Sequence, residues 1–480
     1  MSSTSGSKLR HYATLFISMT HIFASESAYD GVFISDGLPF AQARDRYQAR
    51  RDWLLDQLDH PLLLIGPTHG PSGTYPWAHI HRAVFQDPYL LYLTGINQTG
   101  VALWLDPRDR EIVLFLPKKN PKLEFWEGLQ LGSGSAEALA EASSITGIPA
   151  VLPRTLIGNW VKTRLSDRPL GLIWNTTKGR RRMDQTWQDI LPIYKTLKRL
   201  LPSLVIVNDA PIMWSQRLVM DAIDIGNLRI ANTLSADAYL ALLHRLSTCT
   251  NEHTAWAILD HEISIRSLFG TSFPSIVAGG KNAAILHYTK NNEPLSPMSL
   301  LLTDFGVRWH AMHADVTRTA PVSGHYSPLQ RVVIEIVLMA QQEVQAHAKP
   351  GVSIKDINDH CWAFINQELE QKVTQKGGAV RLPYSVTPHN VSHLLGHQVH
   401  DGDPSREYRT RPLQAGNIIS NEPGIYGEIE LIIDGTRYKE TLGIRIEDDL
   451  LITETGCENL TPCIKDPNAI AHEIRQGPPK

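Results

Sequence analysis

Four carboxylates and one imidazole in the C-terminal half of the chain, Asp304, Asp315, His393, Glu422 and Glu447, have the composition of a site for two divalent cations. Mostly oxygen ligands with one nitrogen suit Mn²⁺, or another hard-to-borderline ion, better than a thiophilic one. Two such ions roughly 3.5–4 Å apart would activate a shared water and clamp a tetrahedral intermediate, which is hydrolytic chemistry. Taken singly, each residue has a blander explanation. An Asp at a strand end is commonly a turn residue. A Glu in an Ile-rich strand is commonly half exposed. With 20 histidines in the chain, a run such as His389-Asn-Val-Ser-His-Leu-Leu-Gly-His-Gln-Val-His400 is less surprising than it would be elsewhere. The joint context carries the metal reading.

Each of the five sits in a stretch suited to hold it. Asp304 ends the apolar run of Leu300-Leu-Leu-Thr-Asp-Phe-Gly, so a strand would deliver its carboxylate to the edge of a core. Asp315 precedes Val316-Thr-Arg-Thr, and a hairpin between adjacent strands would bring the two aspartates together. Pro423 and Gly424 enforce a turn after Glu422. Residues 443–453 read as one buried strand around Glu447. A carboxylate buried there without a partner is costly, and cations would supply the missing charge. Around these stretches, Leu228, Ala231, Ser235, Ala238 and Leu242 keep helical spacing. A second helix follows a Thr250 cap, and a third starts at Ser327-Pro328 and carries Val332, Ile336, Ala340 and Val344. Helices segregated from hairpins predict an α+β domain.

Residues 46–207 follow another pattern. Short apolar runs at Pro61–Gly66, Val101–Asp106, Glu111–Pro117, Gly171–Trp174 and Leu204–Val207 read as buried strands. Helical stretches at Ala43–Leu58 and Trp187–Leu200 lie between them, which predicts an α/β domain with its own sheet. The division expected is a leader over 1–45, a first domain over 46–207, a linker over 208–217, a second domain over 218–464 and a polar tail over 465–480.

A length of 480 residues is too great for one ordinary core, and 42% apolar content lets both domains bury one. The net charge of −3 gives no reason to expect a nucleic-acid or polybasic membrane partner. The run Lys178-Gly-Arg-Arg-Arg182 reads as a solvated loop. Cys249, Cys361, Cys457 and Cys463 form no CxxC pair, which argues against a zinc knuckle and fits a reducing, cytoplasmic setting. The segment from Tyr12 to Ser25 resembles a poor signal peptide, is interrupted by His21 and is too short to span a bilayer. It reads as a disordered or packed leader. The sequon Asn390-Val-Ser392 lies inside the expected site, where a glycan would obstruct it, which argues against secretion.

The segments Thr303-Asp-Phe-Gly, Asp315-Val-Thr-Arg-Thr-Ala-Pro-Val-Ser-Gly, Ser392-His-Leu-Leu-Gly-His-Gln-Val-His-Asp, Asn421-Glu-Pro-Gly-Ile-Tyr and Gly443-Ile-Arg-Ile-Glu-Asp-Asp occur in that order. They resemble the metal-binding segments of the pita-bread metallopeptidases, in the aminopeptidase P and prolidase branch. Ile276-Val-Ala-Gly-Gly-Lys-Asn-Ala-Ala-Ile-Leu-His-Tyr resembles that family's substrate-side histidine motif. Phe85-Gln-Asp-Pro-Tyr-Leu-Leu-Tyr-Leu-Thr-Gly-Ile-Asn and Phe125-Trp-Glu-Gly-Leu-Gln-Leu-Gly are similar to the N-terminal domain of aminopeptidases P. The resemblance runs from about residue 46 to 464.

The resemblance implies a pita-bread second domain and a role for each residue. Asp304 would hold one metal, Asp315 and Glu447 would bridge both, and His393 and Glu422 would complete the other. His287 and His400 would face the scissile peptide. His389 would line the proline side, with Arg445 and Tyr426 at the pocket wall. Blander roles are neutralisation of Asp448 and Asp449 by Arg445, core packing for Tyr426, and a packed position for His397. Three positions depart from the family pattern: Phe273 stands where many relatives carry Tyr, Met312 where an aromatic residue is common, and Gly226-Asn227 at a usually better helix start. None of these removes a ligand.

The expected reaction is hydrolysis of the bond between an N-terminal residue and a following proline. That bond is a tertiary amide of restricted geometry that general exopeptidases handle poorly. Glu422 or Glu447 would take the proton from the attacking water; the family implies Glu422. The rivals are a prolidase restricted to Xaa-Pro dipeptides and a non-catalytic peptide-binding module, although such modules typically lose ligands. A methionine aminopeptidase would leave the first domain unused, and creatine hydrolysis on this fold works without this metal set. The family also implies a homo-oligomer, a dimer or tetramer, with peptide substrates as partners.

Overall fold

The computed structural model describes residues 31–68, 86–165, 167–173, 185–384, 387–402 and 406–477. The signal-like segment, the basic run at 178–182 and Phe85 lie outside the described residues. Among the described residues, two compact units divide in sequence between Asp209 and Ala210.

The first unit is built on a six-stranded mixed sheet in the order β4-β3-β2-β1-β5-β6. Its strands are β1 (Leu62–Ile65), β2 (Ala102–Asp106), β3 (Glu111–Leu116), β4 (Ala150–Pro153), β5 (Leu170–Leu172) and β6 (Ile206–Asn208). Strand β4 is additional to the strands expected from sequence; Pro153 and its brevity weaken its pattern. The helices are α1 (Phe40–Gln57), α2 (Pro88–Thr94), α3 (Pro121–Glu127), α4 (Ala136–Thr146), α5 (Ile157–Arg164) and α6 (Gln185–Leu200). Leu63, Trp104, Phe115, Val161 and Leu197 share one core, each worth roughly 1.5–3 kcal/mol on full burial. Helix α2 starts at Asp87, whose carboxylate accepts from the Tyr89 and Leu90 N–H groups, and stops at Gly95 with φ 69°. A Cβ at Gly95 would lie 2.5 Å from the Tyr47 ring, so no larger residue fits there.

The second unit opens with α7 (Ala210–Arg217), where a linker is expected from the sequence. Ala210, Met213, Trp214 and Arg217 of that helix are buried, which holds the segment in the fold. Helix α8 (Ala222–Leu246) runs through Gly226-Asn227 without a break and is capped by Asp221. The cap of α9 (Glu252–Arg266) is Asn251, one residue after the Thr250 expected. A full capping box between Ser327 and Gln330 starts α10 (Pro328–His347), and one between Ser353 and Asp356 starts α11 (Ile354–Lys372). The expected polar tail contains α12 (Pro467–Gln476), which buries Ile470, Ala471 and Ile474.

Three small antiparallel sheets position the site. Strands β7 (Ile276–Gly279), β8 (Leu300–Phe305) and β11 (Val316–Pro321) form one, ordered β11-β8-β7, with the two-residue ribbon β9 (Arg308–Trp309) and β10 (Met312–His313) between β8 and β11 in sequence. Strands β12 (Ala379–Arg381), β14 (Gly424–Ile433) and β15 (Thr436–Arg445) form the second, and β13 (Ile418–Asn421), β16 (Asp448–Ile452) and β17 (Cys457–Asn459) the third. The expected single strand over 443–453 breaks at Ile446-Glu447 into β15 and β16, which belong to different sheets. The Ile446 N–H bonds to Pro423 O and the Glu447 N–H to Thr317 O, so these two residues tie the sheets together. Val333, Ile336, Val337 and Ala340 of α10, Ile357, Cys361 and Ile365 of α11, and Ile425, Ile429, Leu442 and Ile444 of the hairpin share the core behind the sheets. An α/β unit followed by an α+β unit is the architecture expected from the sequence.

Candidate metal centre

Strand ends and turns deliver the five expected ligands to one place. Asp304 lies near the end of β8, opposite Thr317 in the β8–β11 register, so the expected pairing of adjacent strands is present. Asp315 precedes β11, Glu422 lies in the turn between β13 and β14, and Glu447 in the turn between β15 and β16. His393 sits on an irregular segment whose neighbour Leu394 bridges to both Ile419 and Asp401. All five line a single cavity of about 830 Å³. One ligand atom each from Asp315, His393 and Glu447 lies within 4.8 Å of the others. His393 Nε2 is 3.6 Å from Asp315 Oδ2 and 3.5 Å from Glu422 Oε1.

Second partners orient these side chains. The His393 Nδ1 donates to Leu394 O at 3.1 Å, which turns the Nε2 lone pair towards the acids, the tautomer a metal ligand needs. Ser420 Oγ accepts from the His393 N–H at 3.0 Å and donates to Glu422 Oε1 at 3.4 Å. Thr317 Oγ1 donates to Glu447 Oε2 at 2.7 Å and accepts from Arg445 Nε at 3.1 Å. Arg445 reaches Asp304 Oδ2 through Nη2 at 2.5 Å and the Tyr426 hydroxyl through Nη1 at 3.1 Å. The Asp315 N–H donates to Asp449 Oδ2 at 3.3 Å, and the same oxygen accepts from Asn232 Nδ2 at 2.7 Å. Thr317 and Ser420 were not singled out from sequence. The signal for both is spacing: each is two residues from a ligand on an extended backbone, and so on the same face.

The electrostatics fit a cation. Burial, then the charges of Asp304 and Glu422, pushes the Asp315 carboxyl well above the ordinary range. Glu447 is raised by burial and by Asp315 and Asp304, and Glu422 by burial and by Glu447. Arg445, which acts on Asp315, Glu422 and Glu447, does not offset four clustered carboxylates, and a divalent ion would relieve their repulsion. Asp304 Oδ1 is buried without a hydrogen-bond partner, although the other oxygen of that carboxylate is bonded to Arg445. Burial lowers His393 to about 4, which keeps its imidazole neutral and able to ligate. The donor set, the orphaned oxygen and the mutual repulsion together fit a divalent-metal site.

The other expected residues surround it. His287, His389, His400 and Arg445 line the same cavity. The His400 ring packs edge-on against His393 with centroids 4.3 Å apart. His393, and then burial, lowers His400 to about 3. His389 Nδ1 bonds to Asn390 O at 2.8 Å, so its Nε2 accepts from the Tyr426 hydroxyl at 3.0 Å. Tyr426 differs from its expected place at the wall: it is 1% exposed and lies behind His389 and Arg445, which it braces. His397 is buried off the cavity, with Nε2 3.5 Å from Asp224 Oδ2. Phe273 lines the cavity and contributes no hydroxyl to it.

Comparison with known proteins agrees with this geometry. Residues 226–454 match metallopeptidase family M24, and residues 47–159 match the aminopeptidase P N-terminal domain. A Xaa-Pro aminopeptidase of Haemophilus influenzae is 32% identical over 436 residues, covering 88% of this chain and 95% of that protein. The mitochondrial intermediate cleaving peptidase 55 of Arabidopsis thaliana is 29% identical, covering 89% and 82%. The solved structure of an Escherichia coli aminopeptidase P variant in complex with substrate superposes with a TM-score of 0.74 at 25% identity, covering 90% of this chain and 98% of that one. With this fold, two matching domains and a relative of that identity along nearly its whole length, the chain belongs to metallopeptidase family M24, in its pita-bread fold and with an aminopeptidase P N-terminal domain ahead of the catalytic one.

Proposed function

We propose that this protein is a metal-dependent Xaa-Pro aminopeptidase, which removes the N-terminal residue from peptides whose second residue is proline. The convergence of Asp304, Asp315, His393, Glu422 and Glu447 on one cavity wall carries the reading. These residues would hold two divalent ions, in our reading Mn²⁺, with Asp315 and Glu447 shared. Bound there, the ions would polarise the scissile carbonyl and lower the pKa of the attacking water.

The chain's own groups do the rest. Glu422, on the cavity wall with Oε1 3.5 Å from His393 Nε2, takes the proton from the water and returns it to the proline nitrogen as the bond breaks. His287 and His400, on the cavity wall, donate to the carbonyl oxygen as charge develops on it. His389 forms the proline side, its ring fixed by Tyr426. Arg445 holds Asp304 in place and braces Tyr426. Among the described residues no helix is long and apolar enough to cross a membrane. We read the location as cytoplasmic and the assembly as a homo-oligomer, a dimer or tetramer, which fractionation and sedimentation would test.

The deciding experiment compares an Xaa-Pro dipeptide with an Xaa-Pro-Xaa tripeptide, with and without added Mn²⁺. Cleavage of both, with the longer peptide preferred, is expected. Cleavage of the dipeptide alone would make the protein a prolidase. Peptide binding without turnover by the metal-loaded protein would make it a binding module.

A further inference from the structure

We propose that Glu252, outside the metal centre, is the positioning residue for His287, an inference that rests on the role given to His287 above. Glu252 is the first residue of α9 and is fully buried. Four hydrogen bonds converge on its carboxylate, and all four donors lie between residues 279 and 293. Oε1 accepts from the Gly279 N–H at 2.7 Å and from Asn282 Nδ2 at 2.9 Å. Oε2 accepts from the Tyr288 hydroxyl at 2.7 Å and from the Glu293 N–H at 2.9 Å. Its own N–H donates to Glu293 O at 2.9 Å. A carboxylate offers about four acceptor directions, so one side chain of α9 is saturated by one loop.

His287 lies inside that loop. It is exposed on the cavity wall and directly precedes Tyr288, which is 5% exposed and packs with Ile276, Ala278, Ala283 and Leu302. Asn282 also donates to the Tyr288 hydroxyl, at 3.2 Å, so the two donors brace each other. Burial, and then Glu252, pushes the Tyr288 phenol up to about 12, which keeps it a donor. An exposed histidine on an irregular segment has no packing of its own to fix it. Its placement against a carbonyl is set by the backbone on either side, and that backbone is pinned to Glu252. A small displacement of such a group costs on the order of 10²-fold in rate.

The test is a kinetic double-mutant cycle of Glu252→Gln and His287→Ala on an Xaa-Pro-Xaa tripeptide, with bound manganese measured in every variant. Glu252→Gln is expected to lower kcat by on the order of 10²-fold with KM and metal content near those of the parent. The same change in the His287→Ala background is expected to cost nothing further, because the group being positioned is already gone. An equal fold-loss in both backgrounds, or no loss in the parent, would overturn the inference. Parent-like kcat in His287→Ala alone would instead overturn the role of His287, and the inference with it. If Glu252→Gln does not fold, Tyr288→Phe replaces it in the cycle. A smaller loss that disappears in the His287→Ala background supports positioning, and one that persists contradicts it.

Discussion

Glu422 meets His393 Nε2, His389 Nδ1 and Ser420 Oγ within 3.4–3.7 Å, so one carboxyl faces the metal centre, the proline side and a bracing hydroxyl. Replacing it by alanine should lower kcat by at least about 10²–10⁴-fold while the thermal unfolding profile stays close to the parent's; near-parent turnover in saturating Mn²⁺ would remove Glu422 from the mechanism. Thr317 is a subtler case. It touches no expected substrate position, yet its hydroxyl joins Glu447 to Arg445. Thr317→Val keeps the volume and removes both bonds, and should weaken metal affinity by about 10–100-fold. Titration of the metal-free variant with Mn²⁺ measures this, and unchanged affinity would mean that Glu447 is oriented by its backbone alone.

Elements decide how far such residues can be found without a structure. The apolar run ending at Asp304 and the Pro-Gly turn after Glu422 were legible because each marks its own boundary. The break at Ile446-Glu447 was not, since apolar residues continue on both sides, and only the bonds to Pro423 and Thr317 divide the strands. Tyr426 was misplaced for a similar reason: alternation along β14 gives the face but not whether a cavity or a second layer lies against it. The helix over 210–217 was hidden by Asp209, Pro211 and the polar tail of the segment, and its burial comes from tertiary contacts. In the first unit, Asp106 at the end of β2 pairs with Nη1 and Nη2 of Arg168, at 2.8 and 2.5 Å. Burial raises that carboxyl, but Arg168 and the Arg108 N–H outweigh it and hold it below the ordinary value. Its contribution is therefore present above the unfolded pKa of about 3.9 and is lost as pH falls through the lower folded value. Asp106→Asn should cost about 1–3 kcal/mol at pH 7, and the difference from the parent should close as the pH drops below that of an ordinary carboxyl. A constant difference across an acid titration would contradict the assignment.

For the molecule as a whole, metal and protons compete for the same buried acids. Asp315, Glu422 and Glu447 are raised in the metal-free fold, so these three groups bind more protons there than in the unfolded chain. Their contribution to stability is greatest in acid and is lost as pH rises through the raised values. Metal binding expels those protons, so Mn²⁺ affinity should rise with pH, with proton release visible by calorimetry in buffers of different ionisation enthalpy. Metal at about 100 times its dissociation constant should stabilise the second unit by roughly 2.7 kcal/mol per ion bound over the chelated protein, a shift that differential scanning calorimetry would resolve. The most direct measurement is anomalous diffraction at the manganese edge from crystals of the Mn²⁺-loaded protein. Two peaks enclosed by Asp304, Asp315, His393, Glu422 and Glu447 are expected; manganese bound elsewhere, with that pocket free of anomalous density in an active preparation, would contradict the account.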